Sequence, residues 1–280
     1  MMHPRFLFFL LFAATAVSAP GSSHCQTAVS DLQLRLALDG SRAAPRVAAH
    51  RGASAIAPEN THAAIARAID AGADLIEFDV RATSDGELLL FHDETLERFG
   101  GGKKKFAQLT AEAARQLDVG SFFDASFAAE RPPSLAEAVQ QCLAGNSIPL
   151  IEHKTGSAEA YSAVLRELDA VDQVIVQSFN WKFLAALRAI EPEIKLGALG
   201  SKEVDAAKLA EIASIQPVMV GWKDSDITPP AIAAFHQAEY AIAIWTVNDP
   251  RRMRALAKSG IDIIITDQPA KARQTMNKEP

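Results

Sequence analysis

The chain has 280 residues, of which 49% are hydrophobic and 22% charged, and its formal charge is −6. That length suits one large domain, since α/β barrels of about 250 residues fold around a single core. The acidic balance argues against a nucleic-acid partner, which calls for a broad basic face, and the run Lys103 to Lys105 after Gly100 to Gly102 reads as a solvated loop.

At the N-terminus, Arg5 precedes an apolar run from Phe6 to Val17 and then small residues. This is the pattern of a secretory signal peptide, here over residues 1–19. The run is shorter than the roughly 20 residues a membrane-spanning helix needs. Export to a periplasmic or extracellular space is therefore expected. Cys25 fits a lipoprotein anchor poorly, because Ser22, Ser23 and His24 supply no leucine-like residue before it. Cys25 and Cys142 lack metal-type spacing; an oxidising compartment permits a disulfide between them without implying one. Cys142 sits within SLAEAVQQCLAG and reads as a buried helix residue. Part of Ser22 to Pro45, and Lys271 to Pro280, are expected to be disordered.

From Arg46 onward, short apolar runs alternate with helical patterns, the signature of a parallel sheet covered by helices. Strands are predicted at Arg46–His50, Leu75–Val80, Leu88–Phe91, Ile148–His153, Val174–Ser178, Lys195–Ala198, Val218–Trp222, Ile242–Val247 and Ile261–Thr266. Helices are predicted at Thr61–Ala71, Leu135–Cys142, Ala158–Leu168, Trp181–Ile190, Asp205–Ile212, Pro229–Gln237 and Pro250–Lys258, with Asn60 and Asp249 as N-caps. The strand count is one too many for a (β/α)8 barrel, and loop length identifies the extra strand. Only RATSDGE separates Val80 from Leu88, whereas a parallel crossover needs a dozen or more residues. Leu88–Phe91 must return antiparallel, as a hairpin closed near Asp85 and Gly86. The expected fold is a TIM (β/α)8 barrel over residues 46–270, with a β-hairpin extension after its second strand.

Active sites of such barrels lie at the C-terminal ends of the strands, so polar residues there need explaining. His50 and Arg51 end the first strand. Glu77 and Asp79 lie two apart near the end of the second, and a strand period of two aims both at one face. Glu152 and Lys154 repeat the spacing after Ile148. Three carboxylates at one mouth repel each other and incur a desolvation cost unless a cation neutralises them. Oxygen donors point to a hard divalent ion, Mg²⁺ or Ca²⁺. The hairpin brings His92 opposite Phe78 and Asp79, back over the carboxylates. His50 and His92 then flank one site with groups that titrate near neutral pH, as acid–base chemistry requires. Arg51 offers a planar fork for two phosphate oxygens, Lys154 adds a second positive charge, and Gly52 permits close backbone approach. A lone strand-end histidine is more often structural; convergence of five titratable groups carries the reading. His62, His153 and His236 fall outside it: His62 opens a helix, His153 alternates away from the Glu152 face, and His236 lies in an amphipathic helix.

The segments HRGASAIAPENT, GADLIEFDVRATSDGELLLFHDETLER, GSFFDASFAAERPPSLAEAV, IEHK, VQSFN, IWTVND and IITDQP resemble, in order and spacing, the glycerophosphodiester phosphodiesterase family, from Ala48 to Pro269. The resemblance implies a metal-dependent phosphodiesterase on a TIM barrel. Glu77, Asp79 and Glu152 would hold the metal, His50 and His92 would serve as acid and base, Arg51 and Lys154 would hold the phosphate, and Phe179 and Trp245 would wall the glycerol side. Glu59 and Asn60 match the family's PENT; Asn60 reads mainly as a helix cap, and Glu59 as a metal ligand or a partner of one. His153 departs from the family, which more often has an apolar residue there. The implied products are glycerol 3-phosphate and an alcohol. No serine or cysteine in these motifs stands beside either histidine as an activated nucleophile would, and the resemblance favours attack by the substrate's own hydroxyl, through a cyclic glycerophosphate. The alternatives are a phospholipase D-like activity on lysophospholipids, and a non-catalytic binding module, which would be expected to lack one or more of His50, His92, Glu77, Asp79 and Glu152.

Overall fold

The computed structural model describes residues 44–277. The expected signal peptide, Cys25 and any pairing of Cys25 with Cys142 lie outside the described residues. Eight parallel strands close a barrel in the order β1 (Arg46–Ala49), β2 (Leu75–Ala82), β4 (Ile148–His153), β5 (Ile175–Ser178), β6 (Lys195–Gly200), β7 (Met219–Lys223), β8 (Ala241–Trp245) and β9 (Ile263–Thr266), with β9 returning to β1. The short β3 (Leu88–Leu90) pairs antiparallel with β2, Val80 opposite Leu90 and Ala82 opposite Leu88. The fold and the hairpin are as the sequence predicts. Gly86, at φ 89°, makes the turn that a side chain would strain.

A strict alternation runs along the barrel strands. Ala48, Leu75, Leu150, Ile175, Met219, Ala243 and Ile263 pack together in the barrel interior, while Val47, Ile76, Phe78, Ile151, Val176 and Ile264 face outward into the layer under the helices. Both faces are covered, which is why the strands read as near-continuous apolar runs. Counting up in twos from the inward residues leads to His50, Glu77 and Asp79, Glu152, Gln177, Trp245 and Asp267.

The outer layer comprises α1 (His62–Asp70), α3 (Leu135–Ala144), α4 (Ala158–Glu167), α5 (Trp181–Ile190), α6 (Ala206–Ile215), α7 (Pro229–Gln237), α8 (Pro250–Lys258) and α9 (Pro269–Asn277). Asp249 caps α8 by accepting from the Arg251 amide, as expected. Cys142 is buried in α3. The cap of α1 is Thr61 rather than Asn60: the Thr61 hydroxyl accepts from the Ala64 amide. The expected disorder from Lys271 is corrected by α9. Its Ala272 is buried and its Met276 joins the outer core, while Arg273 donates to the Gly72 carbonyl at 2.8 Å and pairs with Asp74 at 2.7 Å. Two apolar positions four apart in a polar segment are enough to dock one turn of helix face against a barrel end.

Between β3 and α3 the hairpin grows into a flap. It carries three short 3-10 turns and the four-residue α2 (Ala111–Ala114) around its own core of Leu89, Phe91, Leu96, Phe106, Leu109 and Val119. Lys103, Lys104 and Lys105 are exposed on it, and Lys105 pairs with Glu94. No helix of the described residues is long and apolar enough to cross a membrane.

Candidate active site at the barrel mouth

Glu77 and Asp79 stand on β2 and Glu152 on β4, with Asp79 and Glu152 in register across the strand pair. All three are buried. One carboxylate oxygen from each lies within 4.8 Å of the others. Burial and the Asp79 charge push the Glu77 carboxyl up to about 8, and the same two causes raise Glu152. Asp79 would also rise on burial, but the Lys154 ammonium and the Arg51 guanidinium outweigh that and hold it at about 2. Lys154 Nζ lies 3.1 Å from Asp79 Oδ1 and donates to Glu152 Oε1. Arg51 Nε lies 3.2 Å from Asp79 Oδ2. Glu77 Oε2 accepts from the Arg51 amide at 2.8 Å, while Glu77 Oε1 is buried with no hydrogen-bond partner. A buried carboxyl oxygen without a partner is costly. Together with two further carboxylates it is a donor set that fits a hard divalent cation.

The loop leaving β1 is shaped by its glycine. A Cβ on Gly52, at φ 81°, would fall 2.6 Å from the Ala64 carbonyl carbon. The close approach foreseen at Gly52 is thus made by α1. Arg51 precedes it at φ 55°, which turns its amide onto Glu77 and its guanidinium toward Asp79 and Glu59.

Each histidine at the mouth has a carboxylate behind it. His50 Nδ1 lies 2.7 Å from Asp267 Oδ1, and Asn248 Nδ2 donates to Asp267 Oδ2 at 2.6 Å. Burial lowers the His50 pKa, but the Asp267 hydrogen bond and the Glu77 charge outweigh it, so the net direction is upward. His92 Nδ1 lies 2.8 Å from Asp93 Oδ1. There burial prevails over the attraction of Asp79, and the pKa is lowered. With Nδ1 engaged on both rings, each keeps Nε2 for other work, and both rings line one cavity of about 180 Å³. Arg51, Lys154, Glu77 and Glu152 line it too, as do Phe179 and Trp245. Phe179 is 48% exposed at the lip and meets Trp245 edge to face at 5.7 Å.

All the sequence-selected residues therefore come together, with two amendments around PENT. Asn60, assigned mainly to capping, is buried at φ 57°. Its Nδ2 donates to Asp79 Oδ2 at 2.9 Å and its Oδ1 accepts from the Asp79 amide at 3.0 Å. Glu59 stays out of the acidic cluster and instead accepts from Arg51 at 3.0 Å and Arg98 at 2.6 Å. His153 faces outward as expected: its ring stacks on Phe183 at 3.5 Å, and burial pushes its pKa down to about 4. His62 and His236 lie away from the cavity, partnered by Gln141 and Asp262.

Sequence reasoning missed Asp267, Asp93, Arg98 and Gln177. Gln177 is buried on β5 beside Glu152 with Oε1 unpartnered, as is Trp245 Nε1. For Gln177 and Asp267 a signal existed: both fall on the inward phase two residues beyond Ile175 and Ile265.

Buried acids, two carboxylate-backed histidines and two cations at the C-terminal mouth of a parallel (β/α)8 barrel define a barrel enzyme. The chain belongs to the glycerophosphoryl diester phosphodiesterase family, whose model matches residues 50–271. It is 34% identical over 233 residues to a glycerophosphodiester phosphodiesterase of Caldanaerobacter subterraneus subsp. tengcongensis, an alignment that covers 80% of this chain and 94% of that protein. Among solved structures, it resembles a phosphodiesterase of Oleispira antarctica in complex with the product sn-glycerol-3-phosphate. The TM-score is 0.78 at 26% identity, covering 84% of this chain and 98% of that one. It also resembles a glycerophosphodiester phosphodiesterase of Agrobacterium tumefaciens, with TM-score 0.71, 30% identity, and 81% and 97% covered.

Proposed function

We propose that this enzyme hydrolyses glycerophosphodiesters to glycerol 3-phosphate and an alcohol, using one divalent cation, Mg²⁺ or Ca²⁺, held by Glu77, Asp79 and Glu152. The observation that carries the reading is the unpartnered, buried Glu77 Oε1 inside a three-carboxylate cluster that shares its cavity with two histidines and two cationic side chains. A bound dication would offset the carboxylate charge and polarise an oxygen of the substrate. Arg51 and Lys154 supply the positive charge that receives the phosphate, and Phe179 and Trp245 wall the glycerol side. His50 and His92, each held through Nδ1, divide the proton transfers. One takes the proton from the glycerol hydroxyl next to the phosphodiester, and the other gives a proton to the departing alcohol. The hydroxyl closes on phosphorus as the bond to the alcohol breaks, forming a cyclic glycerophosphate that water then opens. An attached nucleophile is favoured because its effective concentration far exceeds that of a free one.

The test is to chelate the purified protein and assay it on a panel of glycerophosphodiesters with Mg²⁺ or Ca²⁺ restored. Glycerol 3-phosphate should appear only with metal; its absence with both ions sinks the proposal. A deoxy analogue lacking the neighbouring hydroxyl should bind without turning over, and its hydrolysis at the normal rate would favour direct attack by water. The exposed Phe179 at the lip supports a second reading, in which lysophospholipids are cleaved, and the same assay with a lysophospholipid separates the two. The apolar N-terminal run supports export, which fractionation of cells expressing the full chain would test.

A further inference from the structure

Arg98 and Glu59, which join the flap to the barrel through ion pairs, have no direct role in the chemistry just proposed. Arg98, on the 3-10 turn Glu97–Phe99, donates through Nε to Asp93 Oδ2 at 2.9 Å and through a terminal nitrogen to Glu59 Oε1 at 2.6 Å. Asp93 spends its other oxygen on His92 Nδ1 at 2.8 Å. The same Glu59 oxygen accepts from Arg51 at 3.0 Å. One guanidinium thus stands between a histidine carried by the flap and an arginine carried by the barrel.

Arg98 is an exposed residue whose guanidinium packs against two aromatic rings. Its Cζ lies 4.9 Å from the Phe99 ring and 5.0 Å from the Phe122 ring, and those rings meet edge to face at 5.2 Å. It is 34% exposed. Glu59 is held charged: burial would raise its pKa, but the bonds from Arg98 and Arg51 bring it down. His92 needs such an anchor because β3 ends at Leu90, two residues short of it. The bonds from Arg81 Nε to the His92 carbonyl and from the Phe91 amide to the Asp79 carbonyl fix the backbone beside the ring and not the imidazole.

We propose that Arg98 is a positioning residue: by clasping Asp93 to Glu59 it sets the His92 imidazole relative to the Arg51 guanidinium, and so sets the proton-transfer group relative to the phosphate. This rests on the roles given above to His92 and Arg51. The clasp uses two separate nitrogens of a rigid planar fork, Nε on Asp93 and a terminal nitrogen on Glu59, a spacing that the single ammonium nitrogen of lysine does not reproduce. Displacing a reacting group by about 1 Å can cost about 10² in rate.

The experiment compares the full chain with Arg98→Ala and Arg98→Lys, assayed on a glycerophosphodiester with Mg²⁺. In Arg98→Ala, kcat should fall 10- to 100-fold with KM within threefold, and Arg98→Lys should recover little. Guanidinium chloride at a low, non-denaturing concentration should restore Arg98→Ala several-fold, whereas ammonium chloride at the same ionic strength should not. An Arg98→Ala kcat within twofold of the parent overturns the proposal. So does a loss that tracks a collapse in Tm and resists guanidinium, since that marks a merely structural role. A parent with no turnover on any glycerophosphodiester overturns the proposed function and this inference with it.

Discussion

Asn60 offers the sharpest test of the site's construction, because two roles for it predict different numbers. If it only capped α1, Asn60→Ala would cost about 1 kcal/mol and Asn60→Gly a few tenths. The structure assigns it instead to both the carboxylate and the amide of Asp79. Removing the side chain leaves the buried Asp79 N–H unpaired, at about 1–3 kcal/mol. The lost bond to the carboxylate adds a further ~1.5 kcal/mol, the low end for a charged acceptor, because Arg51 and Lys154 still face that group. Alanine also meets strain at φ 57°, roughly 1 kcal/mol, which glycine avoids. Asn60→Ala should therefore lose about 3.5–5.5 kcal/mol and Asn60→Gly about 2.5–4.5 kcal/mol. Urea denaturation measures both directly, and in a chain of this size the alanine variant should melt on the order of 10 °C lower. A glycine variant within 0.5 kcal/mol of the parent, as an order of magnitude for an intact bridge, would refute the reasoning.

Three further outcomes follow from the geometry. Mg²⁺ or Ca²⁺ at about 100 times its Kd should stabilise the chelated parent by ~2.7 kcal/mol, seen as a rise in Tm. Glu152→Gln should need far more metal for the same rise, and an equal response in both proteins would place the ion elsewhere. His50→Ala and His92→Ala should each keep the fold by circular dichroism and lose about 10² in kcat; an unchanged rate in either removes it from the proton transfers. His153 has a folded pKa of about 4 against an ordinary 6.5, so the unfolded chain binds its proton first. Its contribution is full above about pH 6.5, is lost as pH falls, and is gone below about pH 4, a change of about 3 kcal/mol. His153→Leu should flatten that part of the stability profile, and an unaltered slope assigns the titration to another group.

What could be read from the sequence, and what could not, divides along one physical line. Strand periodicity has a range of two residues and loop-length arguments a range of about a dozen, and both worked. The alternation along β2 and β4 put Glu77, Asp79 and Glu152 on one face, and the short link after Val80 turned β3 back so that His92 reached them. Side-chain partnerships obey no period. His50 finds Asp267 across a separation of 217 residues, and Glu59 finds Arg98 across 39. Asn60 misled for a related reason. As a capping residue type just ahead of a helix, it satisfied a local rule, while its actual partner lay on the neighbouring strand and Thr61, one residue later, took the cap. The acidic cluster and the two histidines at the mouth declared themselves through charge placed where charge is costly. Their supports, Asp93, Asp267, Arg98 and Asn60, are ordinary polar residues whose purpose appears only when both ends of each hydrogen bond are in view. Errors of sequence reasoning at a site of this kind should therefore concentrate among the residues that hold the functional groups rather than among those groups themselves.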